Sequence, residues 1–247
     1  MVDGRVLRLP FRAPFDGGAL LAWLAARAVP GVEEVDGEIY RRSLRLPHGP
    51  GVAELAMGAD RVRCRLWAED RRDVAPAVGL CRRLLDLDVD PVAVAERLGR
   101  DPLIGALVRR APGLRVPGSV DGAELAVRAV LGQQISVAAA LVGLCRALAD
   151  GDLRLDAGAD RAEARRALLA LPGVGPWTAG YVAMRALGDP DVFLAEDLGV
   201  RHALRRLGGP DDPRAARALA AAWAPWRSYA SQHLWQAPDA GSAAIVA

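Results

Sequence analysis

The chain has no lysine and no asparagine; all 32 of its basic residues are arginine. Without an ε-amine, no side chain can condense with an opened sugar to form a Schiff base, so a lyase step of that kind is excluded. Cysteine is nearly as scarce. Cys64, Cys81 and Cys145 are isolated, with no CxxC spacing, which points to a reducing compartment and to three separate small side chains. His48, His202 and His233 are too scattered for a metal centre, and no HxxxH or HExxH occurs. No run approaches 18 uninterrupted apolar residues, and the opening MVDGRVLRLPFR has no apolar signal core. A cytoplasmic protein without a membrane partner is expected.

An excess of charge is also lacking. The net charge is +2, with 16 arginines against 15 acids in residues 1–100 and the same in residues 101–247. There is no basic tail, so any nucleic-acid affinity must come from local arrangement and carry a modest salt dependence. What is present is globular: 52% hydrophobic and 25% charged residues over 247 positions, enough for one sizeable core or two or three smaller ones.

The N-terminal part mixes strands with one helix. Val6–Leu9, Ile39–Leu46, Gly51–Met57 and Arg61–Trp67 read as strands, the last two joined by the hairpin signal Gly58-Ala59-Asp60. Asp16–Val29 carries leucines and Trp23 at helical spacing, with Pro30-Gly31 as a stop. Arg61, Arg63 and Arg65 alternate on one strand face, which is read as solvated. From Asp73 onward the pattern is helical: 74–85, 91–98, 102–109, 123–131, 137–149, 161–171, 177–187, 198–207, 213–223 and 225–236. Residues 111–119 form a Pro/Gly-rich connector and a candidate boundary, and 150–160 a polar loop.

One stretch organises the rest. In LPGVGPWTAGYVAMRALGDPDVFLAED, residues 171–197, a helix ends at Leu171 and meets Pro172-Gly173-Val174-Gly175-Pro176. The glycines allow a tight turn with φ > 0 and close backbone approach, and Pro176 suits the first turn of the next helix. A glycine turn feeding a helix N-terminus is an anion site that suits a nucleic-acid phosphate. Glu196-Asp197 follows about two turns after that helix. A bare GxG would do no more than close an αα-hairpin.

The string is longer than that, and it resembles the helix-hairpin-helix of base-excision DNA glycosylases. Further segments match in order: Trp23–Val35, Tyr40–Leu44, Leu84–Pro91, Pro112–Ser136 and Trp223–Trp235. Together they resemble the bacterial 3-methyladenine-DNA glycosylase II (AlkA-type) family, over about residues 5–236. The resemblance implies an α+β fold, with an N-terminal antiparallel β-sheet and helices followed by an all-α hairpin core. It divides the chain into an N-terminal domain (1–88), a helical domain with the hairpin (116–189) and a second helical subdomain (89–115 and 190–247). Relatives carry about two more helices between Leu148 and Leu168, so this helical domain is short.

The resemblance further implies a bacterial, nucleoid-associated monomer that hydrolyses alkylated purines from double-stranded DNA without a cofactor. Asp197 takes the catalytic position. Glu196 should point elsewhere, and Asp197 taken alone would be a helix N-cap. Trp177, Tyr181, Trp235 and Trp23 take the base-pocket positions, where electron-rich rings suit a cationic purine. Gln134, flanked by Gln133 and Ile135, takes the position that enters the duplex when the target base is everted. Gly173, Val174, Gly175 and Thr178 form the phosphate-binding hairpin. No metal site of side chains is expected, though such a hairpin can hold a monovalent cation through the carbonyls of Leu171 and Val174. Bifunctional relatives place a lysine where Trp177 stands, so simple hydrolysis is expected. Some relatives hold a four-cysteine iron–sulfur loop, for which this chain has no residues. Trp223 and Trp226 are expected in the core, and Arg201 and Arg227 on solvated faces. The competing reading is a non-catalytic hairpin DNA-binding protein, inactivated by the short 148–168 span.

Overall fold

A computed structural model describes residues 2–132, 137–156 and 158–237. The N-terminal part is a five-stranded antiparallel sheet of β1 (Val2–Pro10), β2 (Glu33–Asp36), β3 (Ile39–Leu46), β4 (Gly49–Met57) and β5 (Arg61–Ala68), in the order β1-β5-β4-β3-β2. Alternation fixes which face is buried. In β5 Val62, Cys64, Leu66 and Ala68 turn inward, while Arg61, Arg63 and Arg65 face out, as the spacing predicts. The inner face packs under α1 (Gly17–Ala25, capped by Asp16) and α2 (Val74–Leu84). Helix α1 ends at Ala25, short of the expected Val29.

Strand β2 was not expected. Its sequence, Glu-Glu-Val-Asp, has low strand propensity, and tertiary partners hold it. Glu33 is buried and takes hydrogen bonds from Tyr40, Arg42 and Arg128, so pairing compensates a charge that would otherwise be costly to bury.

The remainder is helical: α3 (Pro91–Leu98), α4 (Gly105–Arg110), α5 (Gly122–Leu131), α6 (Val137–Ala149), α7 (Arg161–Ala170), α8 (Pro176–Ala186), α9 (Leu198–Arg206), α10 (Pro213–Ala220) and α11 (Arg227–Trp235). Asp90, Asp121, Asp160, Asp197 and Asp212 each cap the helix that follows, accepting first-turn amides. The Ser136 cap expected for α6 lies outside the described residues. One helical core gathers α3, α4, α9, α10 and α11 around Trp223, whose indole donates to Asp101 at 2.7 Å. A second gathers α5 to α8.

Two segments read as loops send residues into the interior. The 111–119 connector is no surface linker: Gly113 to Pro117 are buried, and Arg115, 1% exposed, donates to the carbonyls of Arg12, Pro14 and Asp86. The connector's own backbone also finds partners in place of water: Gly113 O accepts the Asp16 amide at 2.9 Å, the Val116 amide donates to Asp86 Oδ2 at 3.1 Å and the Gly118 amide to Leu84 O at 3.0 Å. The 150–160 loop sends Leu153 and Leu155 into the α5–α8 core. Gly122 lets this loop approach, since a Cβ there would lie 2.2 Å from the Leu155 carbonyl. The short span between α6 and α7 is thus closed by packing. Leu155→Ala is expected to cost about 2–4 kcal/mol of stability, measured by denaturant unfolding; a change under about 0.5 kcal/mol would show that the loop does not seal the core.

Candidate active site

Helices α7 and α8 are joined by the 171–175 turn. Gly173 has φ +78°, a conformation that favours glycine, and it reverses the chain. Gly175 departs from the expectation of a positive φ: its backbone is extended (φ −92°, ψ 176°) and it caps α8 with no side chain. A Cβ there would meet nothing within 4 Å, so the absence of a side chain leaves the α8 N-terminus open. Val174 and Thr178 are buried, so the turn presents backbone more than side chain. The Val174 amide donates to Leu171 O at 3.1 Å, which occupies one of that carbonyl's two lone pairs.

Asp197 is half-buried at the N-terminus of α9. Its Oδ1 accepts the Val200 amide at 2.9 Å and the Trp235 indole N–H at 2.8 Å, and its Oδ2 accepts the Trp177 indole N–H at 2.8 Å. The carboxylate is therefore both the helix cap and the anchor of two tryptophans. Three donors on a group with about four lone-pair sites fix its orientation and leave acceptor capacity over. Gly199 was missed by the sequence reading: a Cβ there would sit 3.1 Å from Asp197 Oδ1 and 3.2 Å from the Trp235 ring, close enough to crowd the indole–carboxylate contact. Glu196 turns away and pairs with Arg217.

The aromatic residues converge. Trp177 and Tyr181, one turn apart on α8, stack at 5.2 Å with their planes 9° apart, and Trp235 meets Tyr181 edge-on at 6.4 Å. Beside them opens a cleft of about 450 Å³ whose walls include Trp23, Trp177, Tyr181, Arg185, Arg128 and Gly132. Asp197 and Trp235 do not line it; Trp177 links cleft and carboxylate. Trp23 has a different setting from a bare aromatic wall, because the guanidinium carbons of Arg27 and Arg185 lie 4.2 and 3.9 Å from its ring centre. Gln133, Gln134 and Ile135 lie outside the described residues, directly after Gly132 on the cleft wall. Arg201 donates to Asp211 O at 2.7 Å and Arg227 pairs with Asp191 at 2.7 Å, so both are engaged within the protein. Among the described residues no group of three or more His, Cys, Asp or Glu is arranged to hold a metal ion, and no helix is long and apolar enough to cross a membrane.

A family model described as the AlkA N-terminal domain matches residues 6–121. The chain is 32% identical to DNA-3-methyladenine glycosylase 2 of Escherichia coli, over 92% of this chain and 95% of that one. It is 47% identical to a probable bifunctional transcriptional activator/DNA repair enzyme AlkA of Mycobacterium tuberculosis, over 93% of this chain. It spans only 56%, about half, of that relative's length. These alignments run to 278 and 281 positions, more than this chain has residues, so the relatives carry segments it lacks. Among solved structures a 3-methyladenine DNA-glycosylase from Archaeoglobus fulgidus superimposes with a TM-score of 0.76 at 18% identity, over 93% of this chain and 97% of that one. An MBOgg1–DNA complex superimposes with 0.65 at 14% identity, over 93% of each chain. The identity to the Escherichia coli protein along nearly the whole of both chains places this one in the AlkA family of helix-hairpin-helix DNA glycosylases.

Proposed function

We propose that this chain is a base-excision-repair glycosylase that hydrolyses the N-glycosidic bond of alkylated purines, such as 3-methyladenine and 7-methylguanine, in duplex DNA. The observation that carries the reading is the Asp197 carboxylate, tied to Trp177 and Trp235 beside the stacked Trp177–Tyr181 pair. Cleavage of the C1′–N bond builds positive charge on the sugar. A fixed carboxylate stabilises that charge and orients water toward C1′, and no solvent dipoles need reorganise at the moment of reaction.

The base leaves the stack to be reached, and Gln134, with Gln133 and Ile135 beside it in sequence, fills the gap. The hairpin, through Gly173, Val174, Gly175 and Thr178, receives a phosphate at the open α8 N-terminus. A monovalent cation on the Leu171 and Val174 carbonyls would strengthen that contact. The protein works as a monomer on DNA. We divide it into the sheet domain (1–88), the hairpin domain (116–189) and the subdomain carrying Asp197 (89–115 with 190–247).

Incubation of methylated duplex DNA with the protein, followed by chromatography of the released bases, tests the reading. Methylated purines should appear in solution; DNA binding without release would overturn it. The product strand should stay intact until treated with alkali, and borohydride should trap no protein–DNA adduct, because the chain has no lysine. Spontaneous nicking coupled to borohydride trapping would refute simple hydrolysis.

A further inference from the structure

The sheet has a second face, and it carries charge that the cleft chemistry does not use. The cleft lies on the inner side of the sheet, where Leu24, Arg42 and Leu84 line it. On the outer face Arg61, Arg63 and Arg65 of β5 stand beside Arg8 of β1, and all four are exposed. The register sets Arg8 directly across from Arg63. Like charges opposed on neighbouring strands destabilise a sheet, and the local acids do little to relieve these. Asp60 takes a hydrogen bond from Arg61 at 2.7 Å and is also attracted by Arg8. Glu54, across from Arg65, pairs with Arg41 at 2.9 Å. Arg8, Arg63 and Arg65 make no ion pair among the described residues. The Arg65 guanidinium carbon lies 5.7 Å from the ring centre of Trp67, on the same face. A chain of net charge +2 thus keeps an uncompensated basic cluster on one surface.

We infer that this outer face is a second DNA-binding surface, which takes the phosphate backbone of a duplex other than the one in the cleft. Residues two apart on a strand are separated by about 6.6 Å and partners across the pair by about 5 Å, so the sheet holds Arg8, Arg63 and Arg65 as a fixed array. Guanidinium groups match phosphate oxygens with paired hydrogen bonds, and a polyanion relieves the repulsion that Arg8 and Arg63 feel when the face is empty. A duplex presents one phosphate charge per about 1.7 Å of its axis, a denser and more regular array than an acidic peptide offers. The sheet and the helices on its inner face stand between the two surfaces, so a short duplex in the cleft leaves the outer face free. The protein then holds two DNA segments at once. The inference does not depend on the excision chemistry.

Stoichiometry tests it. The cleft is first saturated with a short duplex carrying a pyrrolidine abasic-site mimic, and a labelled undamaged duplex is then titrated in and followed by anisotropy. The labelled duplex should bind as a second ligand, and three phosphate contacts should make that binding about 40-fold weaker at 200 mM than at 50 mM salt. Arg8→Gln, Arg63→Gln and Arg65→Gln together should weaken it about 10-fold or more at the lower salt and leave excision of 7-methylguanine unchanged. The melting temperature of this variant should be equal or higher, because the opposed charges are gone. No second duplex on the wild type, an undiminished one on the variant, or a lower melting temperature would overturn the inference. So would displacement of the second duplex by poly-glutamate as readily as by DNA of equal charge, which would mark a surface for an acidic protein. Loss of excision in the wild type, with the second duplex still bound, would overturn the glycosylase reading alone.

Discussion

Asp197→Asn is expected to lower the rate of base release by about 10³-fold or more while changing stability by only about 1 kcal/mol. On the proposed mechanism the rate effect follows from removing the charge that meets the developing sugar cation, in a half-buried site where such interactions are strong. The stability effect is small because asparagine is as good an N-cap as aspartate and can still accept the Val200 amide. It is not zero. With Oδ1 kept toward Val200 and Trp235, the new amide N–H groups face the indole N–H of Trp177, donor against donor, and that hydrogen bond is lost. Trp177 fluorescence and thermal unfolding report the structural part; single-turnover excision of 7-methylguanine reports the chemical part. A variant that unfolds normally and still excises at more than about a tenth of the wild-type rate would remove Asp197 from the mechanism.

Between about pH 4 and 6.5 two single substitutions should tilt the pH dependence of stability, relative to the wild type, in opposite directions by about 3 kcal/mol each. Asp86 is half-buried, with its carboxylate on the Tyr229 hydroxyl at 2.8 Å and the Val116 amide at 3.1 Å; Arg115 and Asp88 are the other charges near it. Burial raises its pKa to about 6. Its folded pKa exceeds the unfolded one, so its contribution is full below about 4 and is lost as pH rises through 6. His233 is buried on α11, and burial alone lowers its pKa to about 4. Its contribution is full above about 6.5 and is lost as pH falls toward 4.

Each shift is about two pK units, at about 1.4 kcal/mol per unit, and over this window the two oppose each other. Asp86→Asn keeps an acceptor for Tyr229 and Val116 and removes the falling contribution, so its stability should rise with pH. His233→Gln removes the rising one, so its stability should fall with pH. Denaturant midpoints at half-unit pH intervals read both slopes. Two variants that parallel the wild type across the window would show that neither group carries the linkage.

Asp86 also shows where the two halves of the molecule are joined. It follows α2 with φ +51°, takes a hydrogen bond from Tyr229 on α11, and its own carbonyl accepts Arg115 from the buried connector. Nothing in the local sequence LLDLDVDP announces this. An aspartate after a helix reads as surface, and only the arrival of a tyrosine 143 positions away makes it interior.

Period and punctuation settled much of the rest in advance. Alternating side chains placed β3, β4 and β5; capping aspartates and prolines placed α3, α5, α10 and the start of α9; the glycine–proline turn placed the hairpin, and the family resemblance of that stretch singled out Asp197. These features are local, because a cap or a turn is fixed by residues within one helical turn of each other. The composition also settled the absence of a lysine nucleophile. What the fold alone decided was non-local: that Glu-Glu-Val-Asp becomes β2 because Arg42 and Arg128 pair with Glu33 and Tyr40 donates to it, that Leu153 and Leu155 close the α5–α8 core, and that Gly199 leaves room for Trp235 at the carboxylate. The placing of Arg185 against Trp23, 162 residues earlier, belongs to the same class. Such contacts depend on which surfaces meet when separate elements bury their apolar faces together, and no spacing along the chain encodes that meeting.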